Sequence, residues 1–203
     1  MRFVLRLANG IDRIVTGIGK AVTWFALALI AVIVFDVITR RFLVLGSTKL
    51  QELEWHIHTL LFMFCVGWAY LANAHVRIDL VRQHLSERAQ QWIEFFGCLL
   101  FAVPYTAIMF YLSIDFAYSS FVQGEVSSAG TGLAHRWIIK ACLGFGLALL
   151  LLASLCVMLR SLVLLFGPPE LAREVRELLM ARTGFAMGTE PDAGKPSSGA
   201  PVG

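Results

Sequence analysis

Charge is scarce in this sequence: 15% of its 203 residues are Asp, Glu, Lys or Arg, while 58% are hydrophobic. A soluble domain carries about a quarter charged residues. The deficit is concentrated in four long stretches, with the charges gathered between them. A bilayer imposes that clustering, because a charge near its centre costs roughly 2.5–3.5 kcal/mol on insertion scales. Cysteine is also sparse. Cys65, Cys98, Cys142 and Cys156 all fall inside apolar stretches and none forms a CxxC pair, so they read as soft packing residues and not as a zinc site or a disulfide framework. No GxSxG, HExxH or glycine-rich phosphate loop is present. The reading is therefore of a chain that is not an enzyme, with no catalytic residue, no cofactor-binding residue and no metal ligand. The net charge of +3 is modest, and nothing in its placement suggests nucleic-acid binding. No small-residue cleavage site follows the first apolar run, where Asp36, Arg40 and Arg41 stand instead. That run is read as a retained helix and not as a signal peptide.

The charge-free windows are Ala21 to Phe35, Trp55 to Val76, Phe95 to Ile114 and Ala141 to Leu159. About 20 apolar residues cross a ~30 Å hydrocarbon core as a helix. The fold class is thus all-α integral membrane, with four transmembrane helices over about 21–39, 55–75, 95–114 and 138–160. The first span needs to run past Asp36, which Arg40 can pair one turn later near the membrane edge. Trp24, Trp55, Trp92 and Trp137 stand at or just before span starts, where an indole can keep one edge wet.

Twelve Lys and Arg residues lie before span one, between spans two and three, and after span four; five lie in the other two loops. The positive-inside rule then predicts both termini in the cytoplasm. Phe3, Leu7, Ile11, Ile14 and Ile18 fall on one arc of a helix, opposite Arg2, Arg6, Asn9, Arg13 and Lys20. Residues 1–20 are therefore expected to form an amphipathic helix on the inner leaflet or on a partner's rim. The membrane domain occupies 21–166. Ser86 can cap a helix entering span three, and Pro104 is expected to bend that span. Gly144 with Ala148, and Cys65 with Ala69, give small faces for close helix contact. Gly167, Pro168 and Pro169 end the fourth helix. A cytoplasmic tail over 167–203 follows, amphipathic from Glu170 to Met180 and expected to be disordered from about Thr183.

His56, His58, His75, His84 and His135 lie at span ends or in loops, so facing haem ligands are not in place. A small oxidoreductase subunit binding haem or quinone remains the runner-up, with a free-standing tetraspan protein third. Spans two to four carry essentially no buried charge, which leaves no evident transport route. The physical reading is a scaffold with surfaces that lean on something else.

Four short motifs then carry a resemblance. They are Val37-Ile38-Thr39-Arg40-Arg41-Phe42 closing the first span and Gln51-Glu52-Leu53-Glu54-Trp55 opening the second. Ala74-His75-Val76-Arg77-Ile78-Asp79-Leu80 follows the second span, and Arg136-Trp137-Ile138-Ile139-Lys140 precedes the fourth. Over most of residues 15–166 the chain resembles the small, DctQ-like membrane subunit of tripartite ATP-independent periplasmic (TRAP) transporters. Ala134 departs from it, standing where a proline is common in the family. The resemblance implies a bacterial inner-membrane symporter that takes up organic acids on an ion gradient. It implies two partners: a large membrane permease subunit that carries the substrate, and a periplasmic substrate-binding protein. The small permease would be part of the scaffold, in contact with membrane lipids. Glu52, Glu54, Glu125 and Arg136 would be candidate contacts for the partners on the outer side. His75, Arg77 and Asp79 would fix the inner loop at headgroup level.

Overall fold

The computed structural model describes residues 1–42, 46–74, 85–129 and 131–186. Its elements, in chain order, are α1 (Arg2–Thr23), α2 (Phe25–Phe42), α3 (Thr48–Leu71), α4 (Glu87–Gly97), a π-helical turn (Cys98–Ala102), α5 (Val103–Val122), α6 (Trp137–Phe166) and α7 (Pro169–Ala186). No strand occurs among the described residues. Among the described residues, three helical runs are long and apolar enough to cross a membrane: Arg2–Phe42, Glu87–Val122 and Trp137–Phe166. The fold is that of an all-α membrane protein.

Local chemistry explains the boundaries. The Thr23 hydroxyl bonds back to the Gly19 carbonyl (3.0 Å), the kind of competition that bends a helix, and the α1–α2 break falls at the next residue. Ser86 caps α4 by accepting from the Ala89 N–H, as its sequence position predicts. Pro104 has no N–H to give the carbonyl four residues back, and its ring crowds that turn. The chain answers just upstream with a wider turn, in which the Val103 N–H reaches the Cys98 carbonyl. The distortion is thus a π-turn ahead of the proline. The Thr106 hydroxyl donates to the Ala102 carbonyl (2.6 Å). At the end of α6 a Cβ on Gly167 would sit 2.3 Å from the Val163 carbonyl oxygen, so only glycine allows the exit there. Pro169 then starts α7, where a missing N–H costs nothing. That helix continues through Thr183 to Ala186, beyond the start expected for a disordered tail.

The bundle is organised around α6. Ala8 and Val15 of α1, Leu71 of α3, and Leu149, Ala153 and Cys156 of α6 form its buried apolar centre. Glycines let the helices meet this closely. A Cβ on Gly19 would lie 2.5 Å from Trp68 Cβ, and one on Gly144 2.9 Å from Ser113 Oγ. Gly144 therefore makes the close contact its small-residue face predicts, with α5. A second cluster, Leu5, Val163, Leu171 and Val175, joins the start of α1 and α7 to the last turns of α6. This defines one end of the bundle. The opposite end carries the close of α2, the start of α3 and the 123–136 loop.

α1 has three faces. Leu5, Ala8, Asp12, Val15, Gly19 and Val22 are buried at alternating steps of three and four. Arg2, Arg6, Arg13 and Lys20 are exposed on a basic face, and Phe3, Leu7 and Ile14 are exposed on an apolar one. The amphipathic arc is thus present, and the small residues beside it dock α1 along α3 and α6. In α2, Asp36 is the one buried side chain, while Ile30, Ile33, Val34 and Phe35 face outward. Apolar exposure of that extent belongs against lipid or another membrane chain.

Candidate functional site

The polar side chains collect at two places. The first is the loop end. Glu52, near the start of α3, is buried. Its carboxylate accepts from the Ser127 hydroxyl and from the Leu133 N–H (2.5 Å). Ser127 N–H in turn donates to the Leu133 carbonyl (3.3 Å), and the Thr131 hydroxyl reaches Thr48 Oγ1 (3.2 Å). One carboxylate therefore ties down the loop between α5 and α6. The Ser127 hydroxyl first, then the Leu133 N–H, hold the Glu52 carboxyl below the usual carboxylate range, with Arg136 and His56 adding to the effect.

Glu125 and Arg136 close the same loop: the Arg136 N–H donates to the Glu125 carbonyl (3.2 Å). Glu125 pairs with Lys140, whose ammonium also lies 3.9 Å from the centre of the Phe116 ring. Lys140, then Ser120, lower the Glu125 carboxyl. Next to this, Arg40 pairs with Asp36, and with the Gln51 amide turned so that its oxygen faces the guanidinium, both terminal nitrogens of Arg40 donate to that oxygen (3.1 Å each). The i,i+4 pair read from sequence is therefore formed, and it also fastens α2 to α3. Glu54 is half-buried, and its Oε1 is buried without a hydrogen-bond partner among the described residues. Of the four residues predicted as outer contacts, Glu52, Glu125 and Arg136 thus share one network. The carboxylate of Glu52 is engaged within the chain. His75, Arg77 and Asp79 lie outside the described residues.

The depressed Glu52 and Glu125 carboxyls give the loop a pH dependence. A group lowered in the folded state stabilises it fully above its ordinary value, here 4.5, and that contribution is lost as pH falls through the lowered one. Loop amides should stay protected from hydrogen exchange, after correction for intrinsic rates, down to about pH 4.5 and lose protection below it. Glu52→Ala should remove that protection severalfold at neutral pH. Unchanged protection in that variant would mean the carboxylate does not hold the loop.

The second place is buried, and the sequence reading missed it. Arg160 of α6 meets Asp12 of α1 at 2.6 Å, with side chains only 5% and 7% exposed. The same guanidinium donates to Asn9 Oδ1 (3.0 Å), and the Thr16 hydroxyl donates to Asp12 Oδ1 (3.0 Å). A signal existed: Asp12 falls within the run of small and apolar residues at Leu5, Ala8 and Val15, where a charge needs a partner.

Among the described residues no three His, Cys, Asp or Glu side chains gather into a metal-holding group. His56 Nδ1 lies 2.5 Å from the Glu52 carbonyl oxygen, while His58 and His135 are exposed. The arrangement fastens helices and one loop together, and its apolar centre is closely packed.

These features define an all-α membrane protein whose polar groups join its own parts. Residues 29–164 match the family model described as "Tripartite ATP-independent periplasmic transporters, DctQ component", and the chain belongs to that family. It is therefore a small membrane component of a TRAP transporter. The match runs from α2 into the last turns of α6 and leaves out α1 and α7. Neither the curated proteins nor the solved structures gave a match.

Proposed function

We propose that this chain is the scaffold subunit of an ion-gradient-driven, binding-protein-dependent importer of organic acids, and is not itself an enzyme. A larger permease subunit carries the substrate and coupling ion, and a periplasmic protein delivers the substrate. The chain lies in a bacterial inner membrane with both termini cytoplasmic. α3 provides the fourth crossing, and the basic face of α1 rests at the inner leaflet. One observation carries this reading beyond family membership. The centre where α1, α3 and α6 meet is lined by Ala8, Val15, Leu71, Leu149, Ala153 and Cys156, and the charged pair beside it, Asp12 with Arg160, is closed on itself, which leaves little for an anion to follow.

The loop end is then the platform for the partners on the periplasmic side. Glu52 acts indirectly, by holding the loop, while Glu54 and Arg136 offer charge to a docking surface. Charge changes mainly affect encounter with a partner and its specificity. Glu54→Lys combined with Arg136→Glu should lower uptake by cells severalfold without lowering the amount of chain in the membrane. Unchanged uptake would remove both residues from the contact.

A further inference from the structure

A groove of about 590 Å³ lies at the end of the bundle that carries α7. That volume falls within the range of small-molecule pockets, about 300–1,000 Å³. Leu164 and Leu165 from the last turns of α6, with Leu179 and Met180 from α7, give it an apolar floor. The charged lining comes from Arg88 at the start of α4 and Arg176 on α7, together with Glu87, whose carboxylate lies 2.8 Å from Arg176; Gln90 and Gln91 complete the polar side. Both arginines are exposed, and Glu87 offsets one of them, so these three groups carry one net positive charge.

Its depth in the membrane is marked by aromatic residues. Trp92 stacks on Phe96 (5.4 Å) and meets Phe166 edge-on (5.6 Å), immediately beside the helix segments that form the groove. The Trp92 indole, apolar with one polar N–H edge, favours the headgroup level of a bilayer. A cationic rim above a leucine and methionine floor at that level matches a ligand that is anionic at one end and aliphatic at the other.

We propose that this groove is a binding site for one anionic phospholipid. Arg88 and Arg176 hold its phosphate, and the upper part of an acyl chain lies on Leu164, Leu165, Leu179 and Met180. Arginine suits phosphate through its planar fork of donors. Glu87 limits affinity by engaging Arg176. The site lies apart from the loop-end network and does not depend on how substrate is carried.

The test is native mass spectrometry of the full chain, delipidated in mild detergent and titrated with phosphatidylglycerol or phosphatidylcholine. Wild type should retain phosphatidylglycerol in preference, at one molecule per chain. Arg88→Gln with Arg176→Gln should weaken retention by about fivefold or more, the scale of one basic contact at a membrane surface. Glu87→Gln should strengthen it, a gain that mere disturbance of the fold would not produce. Arg173→Gln, which loses only the exposed pair with Glu177, should leave retention unchanged. Equal retention of the two lipids by wild type would overturn the proposal. So would weaker binding in Glu87→Gln, or loss in Arg173→Gln equal to that in the double variant.

Discussion

Asp12→Ala should destabilise the folded chain by about 3–5 kcal/mol, and Arg160→Ala by a similar amount. The two side chains meet at 2.6 Å and are almost fully withdrawn from solvent. Removing either leaves the other as a buried, uncompensated charge beside Ala8, Val15 and Cys156. Arg160 has little reserve, since its Nε is already buried without a partner among the described residues. The pair is also the polar clasp between α1 and α6, so α1 should be the first element released. Its exposed Arg6 and Arg13 would then become more open to trypsin. A double replacement by apolar residues of similar size, Asp12→Leu with Arg160→Met, should recover most of the loss, because the desolvation cost disappears with the charges. Stability can be read by unfolding in detergent, with limited trypsin digestion reporting on α1. Single variants as stable as wild type would show that the pair contributes little and that apolar packing alone seats α1.

Gly67→Ala and Gly146→Ala should each cost about 1–3 kcal/mol or more. Both lie where the backbones of α3 and α6 come close together. A Cβ on Gly67 would stand 2.9 Å from the Leu149 carbonyl oxygen, and one on Gly146 2.7 Å from that of Met63. Neither obstacle is the end of a flexible side chain, so the helices themselves must separate. Gly10 and Gly17 provide the contrast. Nothing lies within 4 Å of a Cβ at either, and both sit inside α1. Alanine there should stabilise by about 0.5–1 kcal/mol through helix propensity. Four single variants, measured side by side by detergent unfolding, separate the two groups. Equal effects at all four would mean that close approach of α3 and α6 does not limit stability.

Much of this architecture was legible in the chain itself, because a bilayer writes strong one-dimensional signals. Three of the four charge-free windows fall in the helical runs long and apolar enough to cross a membrane. Ser86, Pro104 and Gly167 each marked a point where the backbone changes, although the π-turn at Cys98–Ala102 is a different distortion from a simple bend. The Asp36–Arg40 pair followed from spacing alone. Other features were not legible, because periodicity reveals a face without naming what covers it. α1 showed its basic and apolar arcs, yet its docked stripe includes Ala8 and Gly19, which carry almost no hydropathy signal. Asp12 and Arg160 are separated by most of the chain, so no local pattern joins them. Glu52 stood out as an acidic residue at a helix start, where charge is usually wet. Its burial depends on a loop that begins some seventy residues later and returns over it.

In the proposed scaffold role, this chain works as one member of a larger membrane assembly and supports a permease that carries the substrate. The most direct measurement is to tag the carboxyl end, solubilise the native membrane in mild detergent, purify the chain and identify its companions by mass spectrometry. A large polytopic membrane subunit recovered in stoichiometric amount is the predicted result. Recovery of the chain alone, from membranes where the candidate permease is present, would contradict it.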